Sequence, residues 1–228
     1  MKIEIWSDYA CPFCYIGKER LEHAINELGI KEQVDVEMRS FELDPNANYN
    51  VISNTEDRFA KKYGISNTMG AERISNIEQY GREEGIDFKY ATTQYTNTMD
   101  AHRLTHHAQK EGNKTMVKDL FKAYFTDNLE LSNKNVLKEI AVKNGLDENQ
   151  VNKVLHSNAY ENQVRADELQ AKLIGVQGVP FFLINGEIKL NGAQNIETFK
   201  KVLKEAMQDN DGQDNDLLGM SCGIDGCH

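Results

Sequence analysis

The stretch Trp6-Ser7-Asp8-Tyr9-Ala10-Cys11-Pro12-Phe13-Cys14-Tyr15 decides how this chain reads. An apolar run, Ile3 to Trp6, leads into it and has the character of a buried strand. A helical pattern leads out of it. Leu21, Ala24, Ile25 and Leu28 repeat at the spacing of one helix face, and Gly29 stands where a helix-ending glycine belongs. Pro12 falls in the first turn of that helix, where a missing N–H costs nothing. Cys11 and Cys14 therefore lie at a strand-to-helix junction.

The junction has chemical consequences. Unpaired N–H groups and the positive end of the helix dipole favour an anion, so Cys11 is favoured as thiolate, the nucleophile of disulfide exchange. Cys14, one turn on and on the same side of the helix, is placed to resolve a mixed disulfide at Cys11. Two plainer readings compete. A C-x-x-C pair can be half of a zinc site, but such halves sit on turns and need a second pair of ligands. It can also be two structural cysteines in a core. The strand–C-x-x-C–helix context favours redox chemistry over both.

Composition narrows the classes. At 228 residues the chain can hold one large domain or a domain with an insertion. Its net charge of −10 argues against nucleic acid and against an anionic membrane surface as partners, and is read as solubility. No apolar run is long enough to span a bilayer. Met1-Lys2 enters the first strand without the basic, apolar and small-residue pattern of an export signal, so a cytoplasmic location is expected. Disulfides there are mostly transient, which turns the four cysteines towards redox or metal roles.

Outward from the motif, Val34 to Leu43 reads as a second strand that shifts phase at Ser40/Phe41. A polar loop, Asp44 to Asn54, follows. From Thr55 to Leu173 the pattern is helical throughout, with Ser132 as the cap before Val136 and Asp147 with Gln150 as a capping box. Strand character returns over Val179 to Ile184. Asn185-Gly186 is a two-residue hairpin signal, Glu187 to Leu190 the returning strand, and Ile196, Phe199, Leu203 and Ala206 share a closing helix face. The expected architecture is α/β: β-α-β, an all-helical insertion, then β-hairpin-α. The expected segments are 1–54 with 174–208 as one domain, 55–173 as the insertion, and 209–228 as an acidic tail.

Asp209 to Asp216 reads as a flexible acidic stretch. Beyond it Cys222 and Cys227 form C-x4-C, with Gly223 and Gly226 letting the loop fold sharply enough for the sulfurs to meet. The segment from Asp209 to Cys222 reaches roughly 45 Å when extended, against a radius of gyration of about 17 Å for a chain of this length. The pair can be a second dithiol exchanging with the first, part of a metal site with Cys11, Cys14 and His228, or idle thiols. Pro180 opens a strand. Its peptide can be cis or trans on pattern alone, and beside Cys11 it would leave the Val179 backbone free to pair with an extended polypeptide. His102, His106 and His107 share one helix but lack an acidic partner motif such as H-E-x-x-H, and are read as satisfied or exposed histidines rather than metal ligands.

These residues resemble a known family. Ser7-Asp8-x-x-Cys11-Pro12-Phe13-Cys14-Tyr15-Ile16-Gly17, Arg39-x-Phe41-x-Leu43-x-Pro45, Asn97-Thr98-x-x-Ala101-His102-Arg103 and Gly175-x-x-Gly178-Val179-Pro180-x-Phe182 look like the FrnE-type branch of the DsbA thiol-disulfide oxidoreductases. The resemblance covers Met1 to about Met207, and Cys222/Cys227 is similar to a C-terminal C-x4-C of some members. It implies a thioredoxin fold with a helical insertion, a cis peptide at Val179-Pro180, and disulfide oxidoreductase or isomerase activity. It also implies Cys11 as attacking thiolate, Cys14 as resolving thiol, and a tail pair that passes electrons to or from them. Pro12, Phe13, Val179 and Pro180 would contact a protein or small-molecule thiol or disulfide. No cofactor is implied, and a monomer or homodimer is compatible. Phe13 stands where export-directed relatives carry His. A phenyl ring offers the Cys11 sulfur neither charge nor hydrogen bond, so a less oxidising pair is expected. The same superfamily holds the 2-hydroxychromene-2-carboxylate isomerases and kappa-class glutathione transferases, which bind glutathione and use Ser where Cys11 stands. The intact pair favours dithiol exchange over that alternative, and over a metal-binding or chaperone-like module.

Overall fold

The structure is a computed structural model that describes residues 1–208, 216–217, 222–223 and 226–227. The expected flexible stretch therefore lies outside the described residues except for Asp216, and so does His228. In chain order the elements are β1 (Lys2–Ser7), α1 (Pro12–Leu28), β2 (Asp35–Ser40), α2 (Thr55–Tyr63), α3 (Asn67–Glu83), α4 (Met99–Lys110), α5 (Met116–Phe125), α6 (Lys134–Lys143), α7 (Glu148–Leu155) and α8 (Glu161–Leu173). They continue with β3 (Gly178–Val179), β4 (Phe181–Ile184), β5 (Ile188–Asn191), α9 (Ile196–Gln208), β6 (Asp216–Leu217), β7 (Cys222–Gly223) and β8 (Gly226–Cys227). This is an α/β fold, β-α-β and a later β-hairpin-α, with a helical insertion between them. Two compact units result, Met1–Leu43 with Asp167–His228, and Asp44–Ala166.

The first unit is organised by one mixed sheet in the order β2-β1-β4-β5-β6. β1 runs parallel to β2 with Ile5 opposite Met38, and antiparallel to β4 with Ile5 opposite Phe182. Flanked on both sides, β1 is buried at every residue but Lys2, as a central strand covered on both faces must be. Ile3, Ile5, Trp6, Phe182, Ile184 and Leu190 fill the sheet core, and Phe199 of α9 meets Phe182 edge-on at 4.9 Å. The β4–β5 connection has three residues, one more than the Asn-Gly signal suggests, because Ile184 pairs with Ile188 and Glu187 stays outside β5. Asn185 (φ 52°) and Gly186 (φ 78°) take the left-handed conformation, and the Glu187 N–H closes the turn on the Ile184 carbonyl at 3.1 Å.

The apolar run Val179–Ile184 is not one strand. The Val179–Pro180 peptide is cis, and proline has no N–H to give to a ladder. The strand is interrupted at Pro180, which lacks a ladder N–H: β4 lies in the main sheet, and β3 in a small second sheet in the order β3-β7-β8. In that sheet Val179 lies opposite Cys222, and Cys222 opposite Cys227. β6 extends the main sheet, parallel to β5, with Leu217 opposite Leu190.

The second unit is helical. Asn54 caps α2 by accepting from the Asp57 N–H at 2.7 Å, and Asp147 caps α7 by accepting from the Gln150 N–H at 2.9 Å. The cap of α6 is Asn133, not Ser132. Asn133 Oδ1 accepts from the Asn135 N–H at 3.0 Å, while the Ser132 hydroxyl donates to the Tyr49 carbonyl at 2.6 Å and is not available to the helix. Leu104, Leu120, Phe121, Tyr124, Phe125 and Leu137 are fully buried in this unit. Among the described residues no helix is long and apolar enough to cross a membrane.

Candidate active site

Cys11 is the residue on which α1 begins. Its backbone is extended (φ −91°, ψ 115°), its side chain does not cap the helix, and the first turn carries no acidic residue to compete for the positive helix end. The Cys11 N–H donates to the Asp8 carbonyl at 3.1 Å, and the Cys14 N–H to the Cys11 carbonyl at 3.2 Å. The Cys11 thiol is thereby turned away from the helix backbone, and it donates to the carbonyl of Val179 at 3.5 Å. Cys11, Cys14, Val179 and Pro180 are thus brought to one place. Phe13 and Pro12 are buried beside them.

Three features hold this geometry. Asp8, 2% exposed, accepts from the Ala10 N–H at 3.2 Å through one carboxylate oxygen and from the Leu43 N–H at 2.7 Å through the other. One side chain therefore fixes both the loop before Cys11 and the segment after β2. Gly17, on the helix face turned to Pro180, leaves little room for a side chain. A Cβ there would lie 3.1 Å from Pro180 Cγ and 3.3 Å from Ala193. Arg39 donates to Glu4 at 2.9 Å through Nε and to Asp167 at 3.2 Å, Asp167 accepts from the Ser40 N–H at 2.8 Å, and the Trp6 indole N–H donates to the Asp167 carbonyl at 2.9 Å. These bonds tie both parallel strands to the middle of α8.

Both cysteines are thiols and neither reaches solvent: Cys11 is 0% and Cys14 1% exposed. Cys11, expected from the sequence as the attacking thiolate, is thus closed off from solvent. For Cys14, burial pushes the thiol well above its ordinary pKa and the adjacent Cys11 sulfur adds to this. The Ser7 hydroxyl and the Asp8 backbone N–H pull the other way. Ser7 Oγ is buried and, apart from this interaction with the Cys14 sulfur, has no hydrogen-bond partner among the described residues. Neither Ser7, Asp8 nor Gly17 carried a role in the sequence reading. Asp8 had a local signal: an Asp whose carboxylate binds the N–H two residues on is an Asx-turn.

The tail cysteines are placed through their backbone. Cys222 pairs opposite Val179, whose carbonyl touches Cys11. Their side chains lie outside the described residues. His107, by contrast, is a packed residue of the helical unit, with Nδ1 at 3.3 Å from the Tyr160 hydroxyl and a pKa lowered chiefly by burial. No cluster of three metal-ligating side chains occurs among the described residues.

Comparison with known proteins agrees with this fold. The family model described as the DSBA-like thioredoxin domain matches residues 2–204. A probable DsbA oxidoreductase from Streptomyces coelicolor is 34% identical, superposes with a TM-score of 0.87, and aligns over 100% of this chain and 98% of its own. YwbO of Bacillus subtilis is 25% identical over 206 residues, 89% of this chain and 96% of YwbO. A 2-hydroxychromene-2-carboxylate isomerase, 14% identical, shares the fold with a TM-score of 0.71 over 91% of this chain and 97% of its own. The chain belongs to the DsbA-like thioredoxin-domain family.

Proposed function

We propose that this chain is a cytoplasmic thiol-disulfide oxidoreductase or isomerase of the FrnE-like kind, acting on protein or small-molecule thiols and disulfides. In the reductive direction the Cys11 thiolate attacks a substrate disulfide. A Cys11–substrate disulfide forms and one substrate thiolate leaves, taking up a proton. The Cys14 thiolate then attacks the Cys11 sulfur. The Cys11–Cys14 disulfide forms, the second substrate thiolate leaves, and the substrate has gained two electrons and two protons. Oxidation and isomerisation use the same steps reversed or stopped at the mixed disulfide.

The observation that carries this reading is the Cys11 sulfur at the start of α1, 3.5 Å from the carbonyl of Val179 and next to Pro180. A substrate strand pairing with the Val179 backbone would bring its own sulfur to Cys11. The register of Cys222 opposite Val179 supports a second role for the tail, in which the Cys222/Cys227 dithiol passes two electrons to the Cys11–Cys14 disulfide and becomes a disulfide itself, to be reset by an external dithiol. Pro12 and Phe13 would line the approach to Cys11. Turnover of insulin disulfides by a dithiol, and refolding of scrambled ribonuclease, test the proposal. Inactivity in both with Cys11 intact would reject it. Saturable glutathione binding with an activity that survives Cys14→Ser would point instead to a glutathione-dependent isomerase or transferase.

A further inference from the structure

Three observations in the first unit concern one edge of backbone. The edge is β3, freed from the main sheet by the break at Pro180. It is already paired: Gly178 and Val179 lie antiparallel to Gly223 and Cys222 of β7. Val179 also receives the thiol of Cys11, which has no exposed surface.

We propose that β7 occupies the edge on which an extended polypeptide substrate must pair, so that the chain's own tail and the substrate strand compete for Gly178–Val179. The inference rests on the exchange reading for its substrate class, but not for its physics. An edge of two residues accepts one strand at a time, because each backbone N–H and C=O on that side has one partner. With β7 docked, a disulfide-bearing polypeptide finds neither the pairing edge nor an exposed Cys11. With β7 released, the edge is freed, and on this proposal Cys11, whose thiol meets the same Val179 that Cys222 pairs with, is uncovered with it. A docked strand of two residues is held by few hydrogen bonds, each worth only about 1 kcal/mol net, so release is thermally accessible. The apparent affinity for an extended substrate is then reduced by the fraction of chains in the released state. A small disulfide with no strand to add loses only its access to Cys11, not a pairing edge, so the tail discriminates most strongly against extended polypeptides.

The experiment separates the strand from its sulfurs in the full-length chain. The reference is the Cys222→Ser/Cys227→Ser double variant, which keeps the backbone strand and removes the second dithiol. Adding Gly223→Pro removes an N–H and restricts the backbone in β7. The reduced proteins are alkylated with iodoacetamide, and Cys11 is followed by peptide mass spectrometry. Undocking is expected to speed Cys11 alkylation by about tenfold or more, and to lower the KM for insulin several-fold more than the KM for cystine, as a competition that holds the edge nine-tenths of the time requires. Equal alkylation rates within about twofold would overturn the proposal. Hydrogen exchange in the unaltered chain gives a check that needs no substitution. Protected amides at Gly178–Val179 and Cys222–Gly223 are expected, and exchange at the rate of an unstructured peptide at both would also overturn it. Faster alkylation in a protein that reduces no disulfide would keep the competition and reject the exchange reading, so the two fail separately.

Discussion

Cys11 and Cys14 stand at the head of the 17-residue helix α1, whereas Cys222 and Cys227 lie opposite each other in strands two residues long. The first pair is held by tertiary structure. Asp8 fixes its loop, Gly17 admits Pro180 against its helix, and both sulfurs are buried. The second pair is held, among the described residues, by backbone pairing with β3 and between β7 and β8. The difference teaches what each is suited for. A helix terminus in a packed core gives a sulfur a defined electrostatic setting, which a nucleophile needs. A short glycine-flanked strand gives a sulfur a register and the freedom to leave, which a carrier of electrons or a competitor for an edge needs.

The largest effect should come from the first pair. Cys11→Ser is expected to lower disulfide reductase activity by roughly a thousandfold or more, the scale on which loss of a nucleophile acts. Activity kept within about tenfold would mean that the tail pair is itself the reacting dithiol and would break the comparison. Gly17→Ala probes the packing that holds Pro180. A Cβ pressed to 3.1 Å from the proline ring should destabilise the fold by about 1–3 kcal/mol, read as a lower urea midpoint at unchanged slope. An unchanged midpoint would show that the close approach is not needed.

Ser7→Ala sharpens the contrast within the first pair. It removes the hydroxyl that favours the Cys14 thiolate, so the already raised Cys14 pKa should rise further. Resolution of a Cys11 mixed disulfide at neutral pH should slow about fivefold, the worth of about one hydrogen bond, and the pH profile of that step should move to higher pH. Ser7→Thr should restore most of the rate. A profile unmoved in Ser7→Ala would assign Ser7 to packing alone. The smallest effect lies in the helical unit. His107 has a lowered folded pKa, so the unfolded chain binds its proton more readily. The associated stability is present above the unfolded value of about 6.5 and is lost as pH falls below it. Thermal denaturation between pH 7.5 and 5.5 should show a drop that is shallower in His107→Gln. Identical slopes would contradict the burial argument.

Much of this architecture is legible in local pattern. The apolar spacing of Leu21 to Leu28 with Gly29 marks α1, and Asp147 before Glu148 marks α7, because caps and periodicity act within a few residues. Asn185-Gly186 marks the hairpin for the same reason. The choice of Asn133 over Ser132 was not legible, since either could cap α6 and the distant Tyr49 carbonyl decides which one is free to do so. The departure of β3 from the main sheet hides inside one apolar run, and strands of two residues such as β6, β7 and β8 have no periodicity to read. At the site, the cysteine pair announces itself by spacing. The full burial of Cys11 does not, because it depends on backbone far along the chain.

The central claim, that Cys11 attacks and Cys14 resolves, is tested most directly by trapping. The reduced full-length Cys14→Ser variant is mixed with a stoichiometric disulfide-bearing peptide and read by mass spectrometry with peptide mapping. The expected result is a stable mixed disulfide at Cys11 that the unaltered chain does not accumulate. An adduct confined to Cys222 or Cys227, or an equal Cys11 adduct in the unaltered chain, would contradict it.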